Sequence, residues 1–122
     1  MRSLTSELHV YLIEERRIGP LHPSLPRDVR ERYEKVRQDL IGDYSRTEGI
    51  EEREEIADRA ESLRHLFEEL IHCRAGKLVR MAFEEARTGQ AALLMGSLPW
   101  ERDRYRAVVD AISQLLEERN RS

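Results

Sequence analysis

The stretch Glu61 to Arg87, ESLRHLFEELIHCRAGKLVRMAFEEAR, constrains the fold most, because it is one long helical pattern with a cation in its apolar seam. At 3.6 residues per turn, Ala60, Leu63, Phe67, Leu70, Arg74, Leu78 and Met81 share one stripe, with Lys77 at its edge. Arg74 stands where a leucine is expected. A buried cation must find carboxylates or backbone carbonyls, since removing the partner of a buried charge costs about 3–5 kcal/mol. Two readings follow for Arg74 and Lys77: buried structural cations that set helix register, or an anion site for a small carboxylate or phosphate.

The other side of the same pattern is not plain solvent surface. His72, Gly76, Val79 and Phe83 fall together, about half a turn from the leucine stripe. Two apolar faces ask for two neighbours. Glycine costs about 1 kcal/mol relative to alanine inside a helix, so Gly76 is explained by close approach of another helix or by a break at Ala75-Gly76. Run unbroken from about residue 50 to 87, the helix would be roughly 55 Å long and would overhang a small domain. That length predicts packing against another subunit.

The chain of 122 residues is of single-domain length and can bury a core without disulfide or metal staples. Charged residues at 37% and aromatics at 6% suit amphipathic helices better than aromatic-rich strands. The expectation is an all-α bundle of four to five helices around one long central helix, forming oligomers. The predicted helices span about 3–17, 26–41, 49–87 and 98–119. In the first, Leu4, Leu8, Tyr11 and Leu12 load one face while Val10 and Ile13 load the other, which predicts a helix sandwiched between neighbours. The run Ile18 to Pro26 carries three prolines and cannot continue a helix. Pro26 and Asp28 open the second helix, with Val29, Tyr33, Val36 and Leu40 as its stripe and Gly42 as its end. The acids Glu51, Glu52, Glu54, Glu55 and Asp58 read as a solvated helix start that suits the dipole. Thr88-Gly89 ends the long helix, Gln90 to Ser97 is a loop exposing Leu93, Leu94 and Met95, and Tyr105, Val108, Val109, Ile112, Leu115 and Leu116 give the last helix a wide buried stripe.

The sequence shows little that looks catalytic. Net charge is -3, so bulk charge gives no footprint for duplex DNA. The single Cys73 excludes an internal disulfide and reads as a small buried hydrophobe. No apolar run is long enough for a membrane span and no leader pattern is visible, so a cytoplasmic protein is expected. Gly76-Lys77 lacks the upstream glycine and the following Ser/Thr of a phosphate loop. His65, Glu68 and His72 share a helical side, but three ligands without a fourth are a weak metal set; no metal and no cofactor are expected.

The order of features nevertheless resembles a family. Glu15-Arg16-Arg17 precedes a proline-rich link, and Leu25-Pro26-Arg27-Asp28 opens a short helix. Leu66-Phe67-Glu68-Glu69-Leu70-Ile71 leads into Arg74-Ala75-Gly76-Lys77-Leu78-Val79-Arg80-Met81-Ala82, and Leu98-Pro99-Trp100-Glu101 opens the last helix. This resembles the helical domain of archaeal GINS replication factors, in the class where that domain precedes a small β domain. The chain carries Val29 and Arg30 where the family often has aromatics, and the sequence is expected to lack the β domain that in this class follows the last helix. The resemblance implies a non-enzymatic subunit that forms a tetramer with itself or a second GINS subunit and bridges the MCM helicase and a RecJ-like nuclease, close to the nucleoid. Gly76, Val79, Phe83, Val10 and Ile13 are then the subunit-interface candidates, and Arg80 and Arg87 the candidate contacts to nucleic acid or a partner. Two readings from other classes stand beside it. One is a small helical enzyme of the chorismate mutase type, holding a dicarboxylate through Arg74, Lys77 and Arg87; the other is a generic helical adaptor.

Overall fold

The computed structural model describes residues 3–22, 25–92 and 94–121, with side chains as far as residue 118. Among these residues there are four α-helices and no strand: α1 Leu4–Glu15, α2 Val29–Arg46, α3 Ile50–Thr88 and α4 Pro99–Arg121. The chain is all-α with one long central helix. α3, at 39 residues, is about 58 Å long at 1.5 Å per residue. It runs unbroken through Ala75-Gly76 and packs against all three other helices, while α1 also touches α2.

The contacts give the directions. Thr5 lies beside Ser62 and Leu63 while Glu15 reaches Lys77, so α1 follows α3 in the same sense. α2 returns against it, with Tyr33 stacked on Phe67 at 4.0 Å and Arg53 of α3 over the ring of Tyr44 at 5.2 Å. α4 starts beside Arg74 through Glu101, and its Tyr105 reaches Glu85 further down α3. The first two helices thus cover the beginning and middle of α3, and α4 covers its end.

The core divides accordingly. Leu4, Leu8, Leu12, Val29, Tyr33, Leu63, Leu66 and Leu70 form the larger apolar cluster with Leu25 and Leu98. Ala82, Tyr105 and Val109 form a smaller one. The buried face of α3 reads Leu63, Leu66, Leu70, Arg74, Lys77, Ala82 and Glu85. Lys77 is therefore central to the seam rather than at its edge, and Leu66 rather than Phe67 is the buried residue of its turn, Phe67 being half-buried.

Several boundaries differ from the expected ones. Pro26 lies before α2, its carbonyl accepting from Val29 N at 3.2 Å, so the helix begins three residues later. Gly42 does not end α2, which continues to Arg46. The added turn is held by Arg46 on Asp43 and by the Thr47 hydroxyl on the Asp43 carbonyl, which together offset the glycine. There is no fifth helix among the described residues. α3 closes at Gly89, whose φ of 76° is left-handed backbone that suits glycine, with Gly89 N on Glu85 O at 2.8 Å. Of the three loop hydrophobics, Leu93 lies outside the described residues, Leu94 packs on the Ala82 cluster and Met95 is exposed.

Within the described chain α1 is covered on one side only, and Val10 and Ile13 on its other face are exposed. The stripe of α4 is likewise narrower than its pattern suggested, with Tyr105 and Val109 buried, Val108 and Ile112 half-buried and Leu115 at 65% exposure. Leu70→Ala, deleting a side chain with no exposure, is expected to lower unfolding free energy by about 2–5 kcal/mol, and Leu115→Ala to change it by no more than about 0.5 kcal/mol, both read by urea denaturation.

Candidate functional site

Between the two apolar clusters lies a closed set of charges. Arg74 is the largest fully buried side chain, at 0% exposure, and Glu15, Lys77 and Glu101 beside it are also buried. Three helices and two links converge on it. Glu15 is the last residue of α1, one turn beyond Leu12 on that helix's buried face. Glu101 sits in the first turn of α4, where its Oε1 also accepts from Leu98 N at 2.7 Å, the back-reaching half of a capping box.

The guanidinium has five N–H donors in a fixed fork, and each finds an acceptor. Nε donates to Glu101 Oε2 at 2.8 Å and Nη2 to Glu101 Oε1 at 2.6 Å, a two-point clasp. Nη2 also donates to Gly96 O at 2.9 Å. Nη1 donates to Glu15 Oε1 at 2.5 Å and more distantly to His22 O at 3.4 Å. Gly96, with φ of 79°, turns the link between α3 and α4 in a backbone region that favours glycine.

Lys77 Nζ completes the set, donating to Glu15 Oε2 at 2.8 Å and to Pro20 O at 3.1 Å. Glu15 Oε2 further accepts from His22 N at 3.0 Å, and Cys73 Sγ donates to the Glu15 carbonyl at 3.2 Å. Two cations face two carboxylates, so the cluster is neutral. Burial by itself would raise the Glu15 carboxyl; hydrogen bonds from Lys77, His22 N and Arg74 outweigh it and hold the group below its ordinary value of 4.5. Burial likewise works against the Arg74 charge, and the Glu101 and Glu15 carboxylates overcome it.

A second polar knot closes the loop after α3. Glu85 Oε1 accepts from Ala92 N at 2.9 Å and from the Tyr105 hydroxyl at 3.2 Å, and Oε2 pairs with Arg106. The Ala92 N–H, ahead of the opposing effect of burial, is the main reason the Glu85 carboxyl is lowered. Burial, then the hydrogen bond to Glu85, pushes the Tyr105 hydroxyl up to about 12.

The remaining candidates stay apart from this cluster. Gly76, Val79 and Phe83 are exposed on α3, as Val10 and Ile13 are on α1. A Cβ built on Gly76 meets nothing within 4 Å, so no helix of this chain makes the close approach that the glycine suggested. Arg80 is exposed with Nε on Gly76 O at 3.4 Å, and Arg87 is paired with Glu84 at 2.6 Å. Glu68 pairs with Arg64, and no group of three His, Cys, Asp or Glu side chains among the described residues is placed to hold a metal ion. Cys73 is half-buried rather than fully enclosed. Among the described residues, no helix is long and apolar enough to cross a membrane.

The sequence asks for carboxylates around Arg74 but does not assign Glu15 or Glu101 to it from among 24 acidic residues, and gives no sign of the Glu85 knot. The signals were the position of Glu15 three beyond Leu12, and of Glu101 three beyond Leu98 across Pro99. Comparison with protein-family models, with curated proteins and with solved structures gave no match.

Arg74→Ala, which strands Glu15 and Glu101 in the interior, is expected to cost about 3–5 kcal/mol in urea denaturation. The cluster also sets an acid limit. Because the folded chain holds the Glu15 proton less tightly than the unfolded chain does, the stabilisation is complete above the ordinary carboxyl value of 4.5 and is lost as pH falls through the lower folded value. Urea midpoints should fall steeply below that pH in the parent protein and less steeply in Glu15→Gln, which starts from a lower midpoint.

Proposed function

We propose that this chain is a non-catalytic assembly subunit of the GINS kind, which forms a tetramer with itself or a second GINS subunit and supports the replicative helicase together with a RecJ-like partner. The observation that carries this reading is the closure of Arg74. With five donors matched inside the chain, the guanidinium offers nothing to a bound dicarboxylate, and the anion-site reading loses its main residue. Lys77 is turned to Glu15 and Pro20 in the same way, and Arg87 to Glu84. These facts weigh against the chorismate mutase-type enzyme.

Two further features support assembly. Segments on which the resemblance rests, Glu15-Arg16-Arg17, Arg74 to Lys77 and Leu98 to Glu101, are those knitted together at the charged cluster. Hydrophobic side chains that the chain itself leaves uncovered, Val10, Ile13, Val79 and Phe83, lie on α1 and α3. A generic helical adaptor would use the same surfaces, and partner identity separates the two.

Affinity capture of the tagged chain from its own cells should retain MCM, a second GINS subunit or a RecJ-like nuclease. Retention of none of the three would sink the replication reading. Gly76→Leu gives a clean test of assembly, since the space beside Gly76 is open within the monomer. The substitution should leave the helix intact, because leucine is the better helix former by somewhat under 1 kcal/mol, yet shift native mass toward monomer. An unchanged native mass would remove Gly76 from the interface.

A further inference from the structure

At the junction of α2, α3 and α4 lies a groove of about 230 Å³ lined by Arg30, Phe67, Ile71, Trp100 and Arg104. Its polar groups are poorly answered by the chain itself. The Arg30 guanidinium lies 5.7 Å from the centroid of the Trp100 ring, and among the described residues neither Arg30 nor Arg104 makes an ion pair. The Trp100 indole Nε1 is buried and has no hydrogen-bond partner. Other arginines of the chain hold carboxylates, Arg64 with Glu61 and Glu68, Arg87 with Glu84 and Arg106 with Glu85. Arg30 and Arg104 thus flank an apolar groove with their charges unanswered by a carboxylate of the chain.

We propose that this groove docks an acidic peptide segment of a protein partner, one carboxylate side chain lying between Arg30 and Arg104 and an adjacent apolar side chain resting on Phe67 and Ile71. The charge supplies the choice of occupant. Guanidinium groups clasp carboxylates with two parallel hydrogen bonds, and the apolar floor contributes contact area that a free anion would not use. A polynucleotide fits less well: single strands are held by a continuous basic track, whereas this groove has two arginines on a chain of net charge -3. The site does not depend on the assembly role proposed above.

Trp100 is the only tryptophan of the chain, so its emission reports on the groove directly. The probe is a capped peptide of alternating Glu and Leu, with a Gln-Leu peptide and an oligothymidylate as controls, titrated into the full chain at low salt. A saturable change in emission is expected with the Glu-Leu peptide only, weakening as salt rises. Arg30→Gln and Arg104→Glu, both at exposed positions, should each weaken it about tenfold, the loss of one charge-assisted contact, with thermal melting unchanged. An unchanged emission, an equal response to the Gln-Leu peptide, tighter binding of the oligothymidylate, or full binding by both arginine variants would overturn the proposal.

Discussion

A guanidinium enclosed in a helical bundle must have its charge and all its donors answered, and the geometry of this protein follows from how Arg74 is satisfied. Removing such a group from water costs several kcal/mol, recovered only when paired charges and hydrogen bonds are placed well. Here the partners come from the end of α1, the start of α4 and both intervening links. A shift of any one of these segments would leave a charge or a carbonyl unmet. The cluster therefore acts on register: it fixes where α1 stops along α3 and where α4 begins. Leucine at position 74 would bury more apolar surface and specify less.

The cluster also divides the apolar core. Leu70 and the residues above it belong to the packing of α1 and α2, Ala82 and Tyr105 to the packing of α4. Between them the seam of α3 is polar for about one turn, at Arg74 and Lys77. A helix about 58 Å long can thus carry two separate sets of neighbours while remaining continuous. The Glu85 knot does at the end of α3 what the Arg74 cluster does at its middle, tying the returning loop to α4 through Ala92 and Tyr105.

Three helices laid along one long helix leave much of it uncovered. Val79 and Phe83 remain exposed, and α1 turns Val10 and Ile13 outward. These positions were visible in the sequence as second apolar faces, because helical periodicity reveals which residues share a face. Periodicity says nothing about whether the neighbour that covers the face belongs to the same chain. The described chain leaves both faces without one, and the assembly role proposed for the protein rests partly on that.

By itself the sequence determined the all-α class, the long central helix, the leucine stripes and the presence of a buried cation at position 74, since all of these follow from spacing along a single helix. Helix ends were less legible: Gly42 looked like a stop, but side-chain contacts of Arg46 and Thr47 carried α2 past it. Which carboxylates meet Arg74 was decided only by the tertiary structure. Glu15 lies 59 residues away and Glu101 lies 27 away, and the choice between them and the other acids depends on where α1 and α4 dock on α3. Local pattern cannot supply that information, because pairing at such separations is set by the packing of whole helices and not by the residues that adjoin the charge.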